Sequence, residues 1–254
     1  MKTREALRGV DSVSVGPEKC ALRTDSVLRN SRLLQRISGA ELDDVVRAAV
    51  CRDYPANKVI VEQNTPADRL FLLVQGSARY FFITPDGKKA YLLWLTPGDA
   101  FGAASLLADQ TDFLLSTEAA SDTRVLVWRR ETIRTLARQN TTLLDNGLSI
   151  AYEYLVWYLA THLSLICDTA RQRLAHVLLS LARGIGRKRP DGIRLDITNE
   201  QLASTANLTH FTVCRLLSEW HKNGTISKSR GKIVLIRPEQ LFGRPRVSSL
   251  RQRP

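Results

Sequence analysis

The stretch TNEQLASTANLTHFTVCRLLSEW, residues 198–220, decides how the C-terminal part of this chain folds. Thr198 with Gln201 three residues later has the pattern of a capping box, which predicts that a short helix begins here. Asn207 interrupts this helix, and Thr209 can cap a second one. The apolar positions of the second helix form one stripe, which consists of Val213, Leu216, Leu217 and Trp220. Two short helices joined by a tight turn predict a DNA-binding helix-turn-helix.

A basic hairpin is predicted directly after the second helix, which Asn223-Gly224 ends. Residues 225–228 and 232–236 are short β-type runs, and Ser229-Arg230-Gly231 lies between them. This spacing predicts a β-hairpin, which would form a wing beside the second helix. An ordinary helical hairpin packed on a small sheet is the alternative interpretation.

The distribution of charge favours a nucleic-acid partner for this segment. The chain contains 37 Lys+Arg and 25 Asp+Glu, a net charge of +12. Residues 1–170 contain equal numbers of both, whereas residues 171–254 contain 17 basic and 5 acidic side chains. A basic domain attracts phosphates and releases their counterions on binding. The whole excess therefore lies on the segment that has the predicted groove-reading helix.

Other functional classes leave no pattern in the sequence. The length of 254 residues allows two domains. Residues 148–167 are largely apolar, but they include Glu153 and His162 and their apolar positions are periodic, which argues against a membrane span. The four cysteines, at 20, 51, 167 and 214, lack the spacing of zinc or iron–sulfur ligands. We expect free thiols, a cytoplasmic protein without a leader peptide, and no metal or cofactor. Without a phosphate-binding glycine loop or nucleophile motif, an enzyme is not expected.

Short β-type runs occupy the region from 58 to 128. Turn residues separate them at Gln75-Gly76, at 85–87 and at 97–99, and this spacing predicts a β-sandwich or β-barrel. The runs are 59–61, 70–74, 78–83, 90–95 and 124–128.

A long helix is predicted after these strands. Its apolar positions alternate by four and three residues, which is a heptad seam over about three heptads. A helix packed only on its own sandwich is the alternative, but we favour a seam between two copies because readers of two half-sites commonly pair. The seam positions are Leu144, Leu148, Ala151, Leu155, Tyr158, His162 and Leu165.

The remaining segments complete the predicted organisation. A short helix is predicted over 33–49, and Asp168-Thr169 can cap a further helix with an inner face of Leu174, Val177, Leu178 and Leu181. Residues 184–192 are predicted to be a basic exposed loop. The domains are a flexible arm at 1–30, an effector-type β domain at 31–138, a dimerisation helix at 139–167, a DNA-binding domain at 168–242 and a disordered basic tail at 243–254.

This order of parts resembles the CRP/FNR (cyclic-AMP receptor/fumarate-nitrate regulator) family of bacterial transcription factors over residues 31–242. PGDAFGAASLL at 97–107 is similar to the family's phosphate-binding cassette, and THFTVCR at 209–215 is similar to its recognition-helix motif Ser-Arg-Glu-Thr-Val-x-Arg. The resemblance implies an α+β fold with an N-terminal cyclic-nucleotide-binding-like β-roll, a long dimerisation helix and a C-terminal winged helix-turn-helix. It also implies a homodimer that activates or represses transcription.

The chain departs from the family pattern at the residues that would bind a small-molecule effector. The family's cyclic-nucleotide binders place a glutamate where this chain has Ala103, and an Arg-Ser or Arg-Thr pair where it has Phe113-Leu114. A buried phosphate without such partners is heavily penalised, so cyclic AMP is not the expected effector. The cysteines are too few and too far apart for the oxygen-sensing branch, and the histidines all lie beyond the roll, which argues against a haem sensor.

Two interpretations of the aromatic residues in the predicted roll remain open. They could line an apolar pocket for a small aromatic molecule, or they could simply form the core. The pocket candidates are Tyr80, Phe82, Tyr91, Phe101, Ala103 and Phe113.

The resemblance also implies residue roles at the DNA. The predicted base contacts are His210, Phe211, Thr212 and Arg215, and the predicted backbone contacts are Thr198, Thr209, Lys228, Arg230 and Lys232. The implied partners are a palindromic double-stranded DNA site, a second copy of the chain and RNA polymerase. A non-specific architectural DNA-binding protein is the alternative that the basic tail favours. Cys214 is expected to be a small structural residue rather than a thiol switch.

Overall fold

The computed structural model describes residues 14–15, 25–37, 39–84, 87 and 89–242. The chain divides into two compact units, and the main boundary lies in its longest helix, between Val156 and Trp157. Within the described ranges, no helix combines the length and the apolar character that crossing a membrane requires.

The described strands of the first unit form two sheets, in agreement with the predicted β-sandwich or β-barrel. The strands are β1 (Ser14–Val15), β2 (Val50–Tyr54), β3 (Val59–Val61), β4 (Arg69–Gln75), β5 (Ala78–Ile83), β6 (Lys89–Leu95), β7 (Ala100–Phe101), β8 (Ser116–Ala119) and β9 (Thr123–Arg129). One sheet has the order β1-β2-β9-β4-β7, and the other has the order β3-β8-β5-β6. All five predicted runs are strands, whereas β1, β2, β7 and β8 were not predicted.

Strand β4 explains why one of the runs is apolar throughout. Phe71 and Leu73 face the core between the two sheets. Leu70, Leu72 and Val74 face a second core, which lies between this sheet and the helices. A strand that is buried on both faces has no polar alternation, because neither face meets water.

Within the described ranges, four helices belong to this unit or begin in it. They are α1 (Asp25–Asn30), α2 (Gly39–Arg47), α3 (Arg130–Gln139) and the long α4 (Thr141–Cys167). The second core takes in Val45 of α2, Ile133 of α3 and Leu143 of α4, together with Trp128. The Trp128 indole N–H donates to the Val45 carbonyl at 2.7 Å, so the largest side chain of this core is also hydrogen-bonded.

Two adjacent residues pack the first turns of α4 against the β-roll, which is the two-sheet part of the first unit. The buried Asn146 amide donates to the carbonyls of Leu33 at 2.9 Å and Gln35 at 2.7 Å. At the next position, a Cβ on Gly147 would lie 2.6 Å from Cδ1 of Leu106. A side chain larger than glycine would therefore make the Leu106 side chain shift, so glycine lets α4 pack closely against the cassette stretch here.

The second unit is a winged helix-turn-helix. It contains α5 (Ala170–Gly184), α6 (Asn199–Ala206) and α7 (His210–Lys222), with a sheet of β10 (Arg187–Arg189), β11 (Gly192–Asp196), β12 (Ile226–Ser229) and β13 (Lys232–Leu235) in the order β10-β11-β13-β12. Thr169 and Gln172 form a capping box at the start of α5. On the predicted inner face of α5, Leu174, Leu178 and Leu181 are buried and Val177 is half-buried.

Three predictions of local structure differ from the fold. Residues 33–49 are not one helix: turns occupy 32–36, with Arg36 at a φ of 61°, and α2 begins at Gly39. Part of the predicted arm is ordered by packing, since Leu28 of α1 is buried. Part of the predicted loop 184–192 is a strand, because β10 pairs with β11 through the backbone although all its side chains are charged and exposed. The predicted tail lies outside the described residues.

Cys51 is not a free thiol. It is disulfide-bonded, and it is fully buried on β2. The prediction of free cysteines is therefore wrong at this position, while Cys167 and Cys214 are free. The spacing rules for metal motifs gave no indication of this bond, because a disulfide depends on tertiary contact rather than on sequence spacing.

Candidate nucleic-acid interface and effector pocket

Helix α6 begins with the predicted capping box. The backbone N–H of Gln201 donates to the Thr198 hydroxyl at 3.2 Å, and the N–H of Thr198 donates to the Gln201 side chain at 2.9 Å. A cap of this kind contributes about 1 kcal/mol to helix stability. The helix ends at Asn207, whose φ of 49° is in the left-handed region that asparagine tolerates. The tight turn into α7 is therefore formed as predicted.

Helix α7 has one buried face and one exposed face. It is capped by the Thr209 hydroxyl, which accepts from the backbone N–H of Thr212 at 3.1 Å. Burying one leucine contributes about 1.5–3 kcal/mol, so the stripe that packs inward determines which side of α7 is presented to solvent. The buried side chains are the four predicted ones: Val213, Leu216, Leu217 and Trp220.

The exposed face of α7 brings together three of the four predicted base-reading residues. His210, Phe211 and Arg215 are exposed, and Phe211 is 77% exposed. Phe211 and Arg215 are one helical turn apart and lie on the same side of the helix. Thr212 differs, because it is half-buried and its hydroxyl is 2.9 Å from that of Thr209. Its hydroxyl is therefore engaged with the cap of the helix.

Cys214 links the two helices of the motif. Its sulfur accepts from the side-chain amide of Asn199, the first residue of α6, at 3.1 Å. The imidazole of His210 is 3.7 Å from the same sulfur. These contacts are consistent with the expected structural role, since they fix the angle between α6 and α7 next to the exposed face.

Lys228 on β12 reaches the recognition helix rather than the wing tip. Its ammonium group donates to the Ser218 hydroxyl of α7 at 2.7 Å. The Ser218 hydroxyl in turn donates to the Cys214 carbonyl at 2.7 Å. Lys228 therefore places a positive charge beside α7, two turns after its exposed start, which sequence spacing could not show.

The wing tip lies beside the start of α6. Arg230 and Lys232 are exposed there, and the Gly231 carbonyl accepts from the backbone N–H of Ile197 at 3.1 Å. Ile197 is adjacent to Thr198, so the two cations and the predicted backbone contact at the α6 cap form one surface.

The stretch that resembles a phosphate-binding cassette has an alanine, Ala103, where the family's cyclic-nucleotide binders place a glutamate. Ala103 begins a short 3-10 helix, Ala103–Leu106, directly after Gly102, whose φ is 82°. A Cβ on Gly102 would lie 3.3 Å from Cε1 of Phe113. Leu114 is 81% exposed and contributes nothing to the interior. Of the two residues aligned with the family's phosphate-binding pair, one is a buried ring and the other faces solvent.

The predicted pocket residues separate into two groups. Tyr80, Phe101 and Phe113 contact one core between the sheets. Phe82 is 39% exposed, so the prediction that it lines the interior is wrong; it lies near the end of β5, where the strand leaves the core. Tyr91 is half-buried outside that core. Phe71, which was not predicted as a pocket residue, stacks on Phe101 with ring centroids 4.8 Å apart.

The buried cation of the roll is committed to an ion pair. Among the described residues, Arg79 is the one buried basic side chain, and its Nε donates to Glu118 at 2.7 Å. Lys89 donates to the other carboxylate oxygen at 2.5 Å. Burial alone would raise the pKa of Glu118, but the hydrogen bonds from Lys89 and Arg79 outweigh burial and lower it. Arg79 also precedes Tyr80 on β5, so its side chain points to the opposite face from the aromatic core.

The seam predicted on α4 is exposed along its whole length. All seven predicted positions are exposed, with Leu148 at 70% and Leu155 at 53%. The same side of the helix also exposes four large apolar residues that were not predicted: Tyr152, Leu159, Leu163 and Ile166. Glu153 and Asp145 are the charged side chains of α4, and Glu153 pairs with Arg32. An apolar face of this length is typical of a surface that another helix covers.

Two family models match the chain. The model described as "Cyclic nucleotide-binding domain" matches residues 51–140, and the model described as "Crp-like helix-turn-helix domain" matches residues 172–242. The chain belongs to the CRP/FNR family of transcription factors. Membership in the CRP/FNR family makes it a DNA-binding transcription regulator of that type.

Individual CRP/FNR relatives extend the match over most of the chain. It is 28% identical to the "Anaerobic regulatory protein" of Bacillus subtilis (strain 168), over 72% of this chain and 78% of that protein. It is also 28% identical to the "Cyclic AMP receptor protein" of Thermus thermophilus, over 81% of this chain and 93% of that protein. The solved structure of FixK2 from Bradyrhizobium japonicum superimposes with a TM-score of 0.66 at 25% identity, covering 76% of this chain and 96% of that one.

The described part of this CRP/FNR-family chain contains no cluster of three or more His, Cys, Asp or Glu side chains that could hold a metal ion.

Proposed function

We propose that the chain binds a palindromic DNA site sequence-specifically as a homodimer, and that cyclic AMP is not its effector. The observation that carries the proposal is the exposed face of α7, where Phe211 and Arg215 lie on one side and neither is packed into the unit. An exposed phenyl ring on a basic helix is unfavourable in water and gains from contact with an apolar base edge.

Base reading is assigned to the first turns of α7. Arg215 matches the final arginine of the family motif and is suited to a bidentate contact with O6 and N7 of guanine. Phe211 stands where the family motif has a glutamate. A phenyl ring cannot accept a hydrogen bond from cytosine N4, but it can pack on a thymine methyl group. His210 is exposed next to it and can reach a phosphate or an adjacent base. Thr212 has a weaker claim to a base, since its hydroxyl is engaged with Thr209.

Backbone contacts are assigned to the wing and to the helix caps. Arg230 and Lys232 at the wing tip, with Thr198 beside them, are suited to the phosphates on one side of the groove. Lys228, beside α7, would neutralise a phosphate close to the bases that Arg215 reads. Thr209, the cap of α7, is at the helix end where backbone N–H groups favour an anion.

Pairing of two chains is assigned to the exposed apolar face of α4. Burying the Leu155 side chain contributes about 1.5–3 kcal/mol of stabilising free energy. The pairing of two long helices would bury several such residues. A dimer also doubles the recognition helices, so its half-sites would lie about one helical turn of DNA, or about 34–36 Å, apart. In this proposal the bound dimer acts on transcription through RNA polymerase.

Loss of cyclic-AMP binding is supported by three features of the roll. Ala103 offers no acceptor for a ribose hydroxyl, Phe113 covers the cassette glycine, and Leu114 is in solvent. The buried Arg79 is paired with Glu118 on the opposite face of β5. A phosphate in the interior would therefore have no cationic partner, which is strongly unfavourable.

Selection of bound sites from a randomised DNA library tests the proposal. We expect an enriched palindrome with half-sites about one helical turn apart. Equal retention of all sequences would instead indicate the non-specific architectural function. Calorimetric titration of the same protein with cyclic AMP is expected to give no heat of binding, and a low-micromolar dissociation constant would refute that part of the proposal.

A further inference from the structure

Aromatic rings fill the interior of the roll from the cassette to α4. Phe71 and Phe101 are parallel, with an interplanar angle of 4°. Tyr80 meets Phe101 edge-on at 6.5 Å and Tyr154 of α4 at 5.9 Å. Phe113 belongs to the same core. We call these five residues the aromatic cluster, and they connect both sheets, the cassette stretch and α4.

The aromatic cluster closes the cassette at its glycine. A Cβ on Gly102 would lie 3.2 Å from Cδ2 of Phe71, 3.3 Å from Cε1 of Phe113 and 2.7 Å from the Arg69 carbonyl. In the family that this stretch resembles, the cassette holds the phosphate of a diffusible ligand. Here the side of Gly102 that faces the core is covered by two rings of the chain itself.

A chain of hydroxyl groups fastens the cluster to α4. The Tyr154 hydroxyl donates to the carbonyl of Ala100, on β7, at 3.1 Å. The Tyr80 hydroxyl lies close enough to the Tyr154 hydroxyl and to the backbone of Gly102 for both to influence its pKa. Burial raises the pKa of Tyr80 well above its ordinary value, and burial with the nearby charge of Asp99 raises the pKa of Tyr154 to about 12. Both hydroxyls are therefore neutral at physiological pH, and the connection needs no charged ligand.

We propose that the aromatic cluster is a built-in effector, whose rings occupy the interior in place of a diffusible ligand and hold α4 in its DNA-binding arrangement. This inference rests on the proposed function, since it explains how a sequence-specific dimer is kept active. A ligand that reached the core-facing side of Gly102 would have to displace Phe113 or Phe71, and it would then meet an apolar core. DNA binding is accordingly independent of any small molecule.

The first test uses full-length protein freed of small molecules by unfolding, gel filtration and refolding. Fluorescence anisotropy with the selected palindrome is expected to give the same dissociation constant before and after this treatment, and in the presence of cyclic AMP, cyclic GMP or toluene. A stripped protein that loses about tenfold or more in affinity, and regains it with the small-molecule fraction removed from it, would overturn the inference.

The second test changes the cluster itself. Phe113→Ala uncovers Gly102 and is expected to weaken binding to the palindrome about tenfold, because the arrangement of α4 is no longer favoured. Phe113→Leu, which retains most of the apolar volume, is expected to stay within about threefold of wild type. Phe82→Ala, at an exposed aromatic residue of β5, is the matched control and is expected to change nothing. A folded Phe113→Ala protein with wild-type affinity would refute the inference.

Tyr154→Phe keeps the test decisive if Phe113→Ala does not fold. It retains the ring and removes the hydroxyl link to Ala100, so a loss of about threefold or more in affinity is expected, and unchanged affinity in the folded variant would refute the inference. Failure of the proposed function is distinguishable from these outcomes. In that case wild-type protein selects no palindrome at all, whereas failure of the built-in effector leaves selection intact but dependent on a ligand.

Discussion

The two units of the chain present their aromatic and charged side chains in opposite ways. On the winged helix-turn-helix, Phe211 and Arg215 lie in solvent on one face of α7, while the stripe behind them is buried. In the roll, Phe101 and Phe113 are buried against the cassette, and the buried cation Arg79 is neutralised by Glu118. The exposed side chains of α7 are therefore able to contact a partner, whereas the buried side chains of the roll already contact one another. In the function proposed above, the α7 face reads DNA and the roll does not bind cyclic AMP.

The largest effect is expected from a charge on the α4 face. Leu155→Asp would place a carboxylate in the seam of both copies and should convert the dimer to monomers, measured by light scattering at micromolar concentration. Each buried leucine contributes about 1.5–3 kcal/mol, and the loss occurs twice. Ser149→Asp, exposed on the same helix away from that face, is the control and should remain dimeric. A wild-type protein that is monomeric with and without DNA would contradict the assignment.

The second-largest effect concerns Arg215, and it distinguishes contacts to the bases from contacts to the DNA backbone. Arg215→Ala should cost about 1–3 kcal/mol in binding to the selected site and relax the preference at one base pair, because a bidentate contact to guanine is lost. Binding-site selection with the variant measures both. Arg230→Ala, at the wing tip, is the control and should preserve the preferred sequence. The assignment fails if Arg215→Ala selects the wild-type sequence.

The wing cations should affect all DNA sequences alike. Lys228→Ala is expected to weaken specific and non-specific DNA equally and to reduce the slope of log affinity against log salt by about 1, because one phosphate contact is removed. Ser218→Ala, which removes the hydroxyl that holds Lys228, should weaken binding less and leave the slope unchanged. A change of sequence preference in the Lys228 variant would place this residue among the base readers instead.

The smallest effect concerns the roll and appears only at high pH. The pKa of Tyr154 is raised from 10 to about 12, first by burial and then by Asp99, so the fold favours its neutral form. The stability contributed in this way is complete below pH 10 and is lost as the pH rises towards 12. Urea unfolding should show this loss in wild type and a smaller one in Tyr154→Phe. Tyr152→Phe, on the exposed face of α4, should follow the wild-type profile.

Local chemistry made the DNA-binding unit predictable. The capping box at Thr198, the cap at Thr209 and the hairpin around Arg230 depend on residues a few positions apart, and each has the structure that its pattern predicts. Charge is additive along a sequence, so the basic excess was also visible without a structure. The Lys228–Ser218 contact was not, because it joins a strand to a helix ten residues earlier through a rotamer that packing selects.

The roll shows where sequence patterns stop being informative. A run such as that of β4 is apolar because both its faces are buried, so its alternation cannot reveal which residues face which core. For this reason Phe71 of β4 was not among the predicted pocket residues. Phe82 was among them, although it is exposed near the end of β5. The disulfide at Cys51 and the turn at Arg36 depend on contacts between distant segments, which no local spacing records.

The sequence by itself determined the family, the order of the parts, the helix boundaries of the reading motif and the residue type at each cassette position, because these follow from neighbouring residues. Only the tertiary structure decided which side chains meet at the cassette. Phe113 lies eleven positions after Gly102 and Tyr154 lies on another helix, yet both meet the cassette in the core. Burial brings distant side chains together through close packing, and close packing is a property of the folded interior rather than of any stretch of sequence.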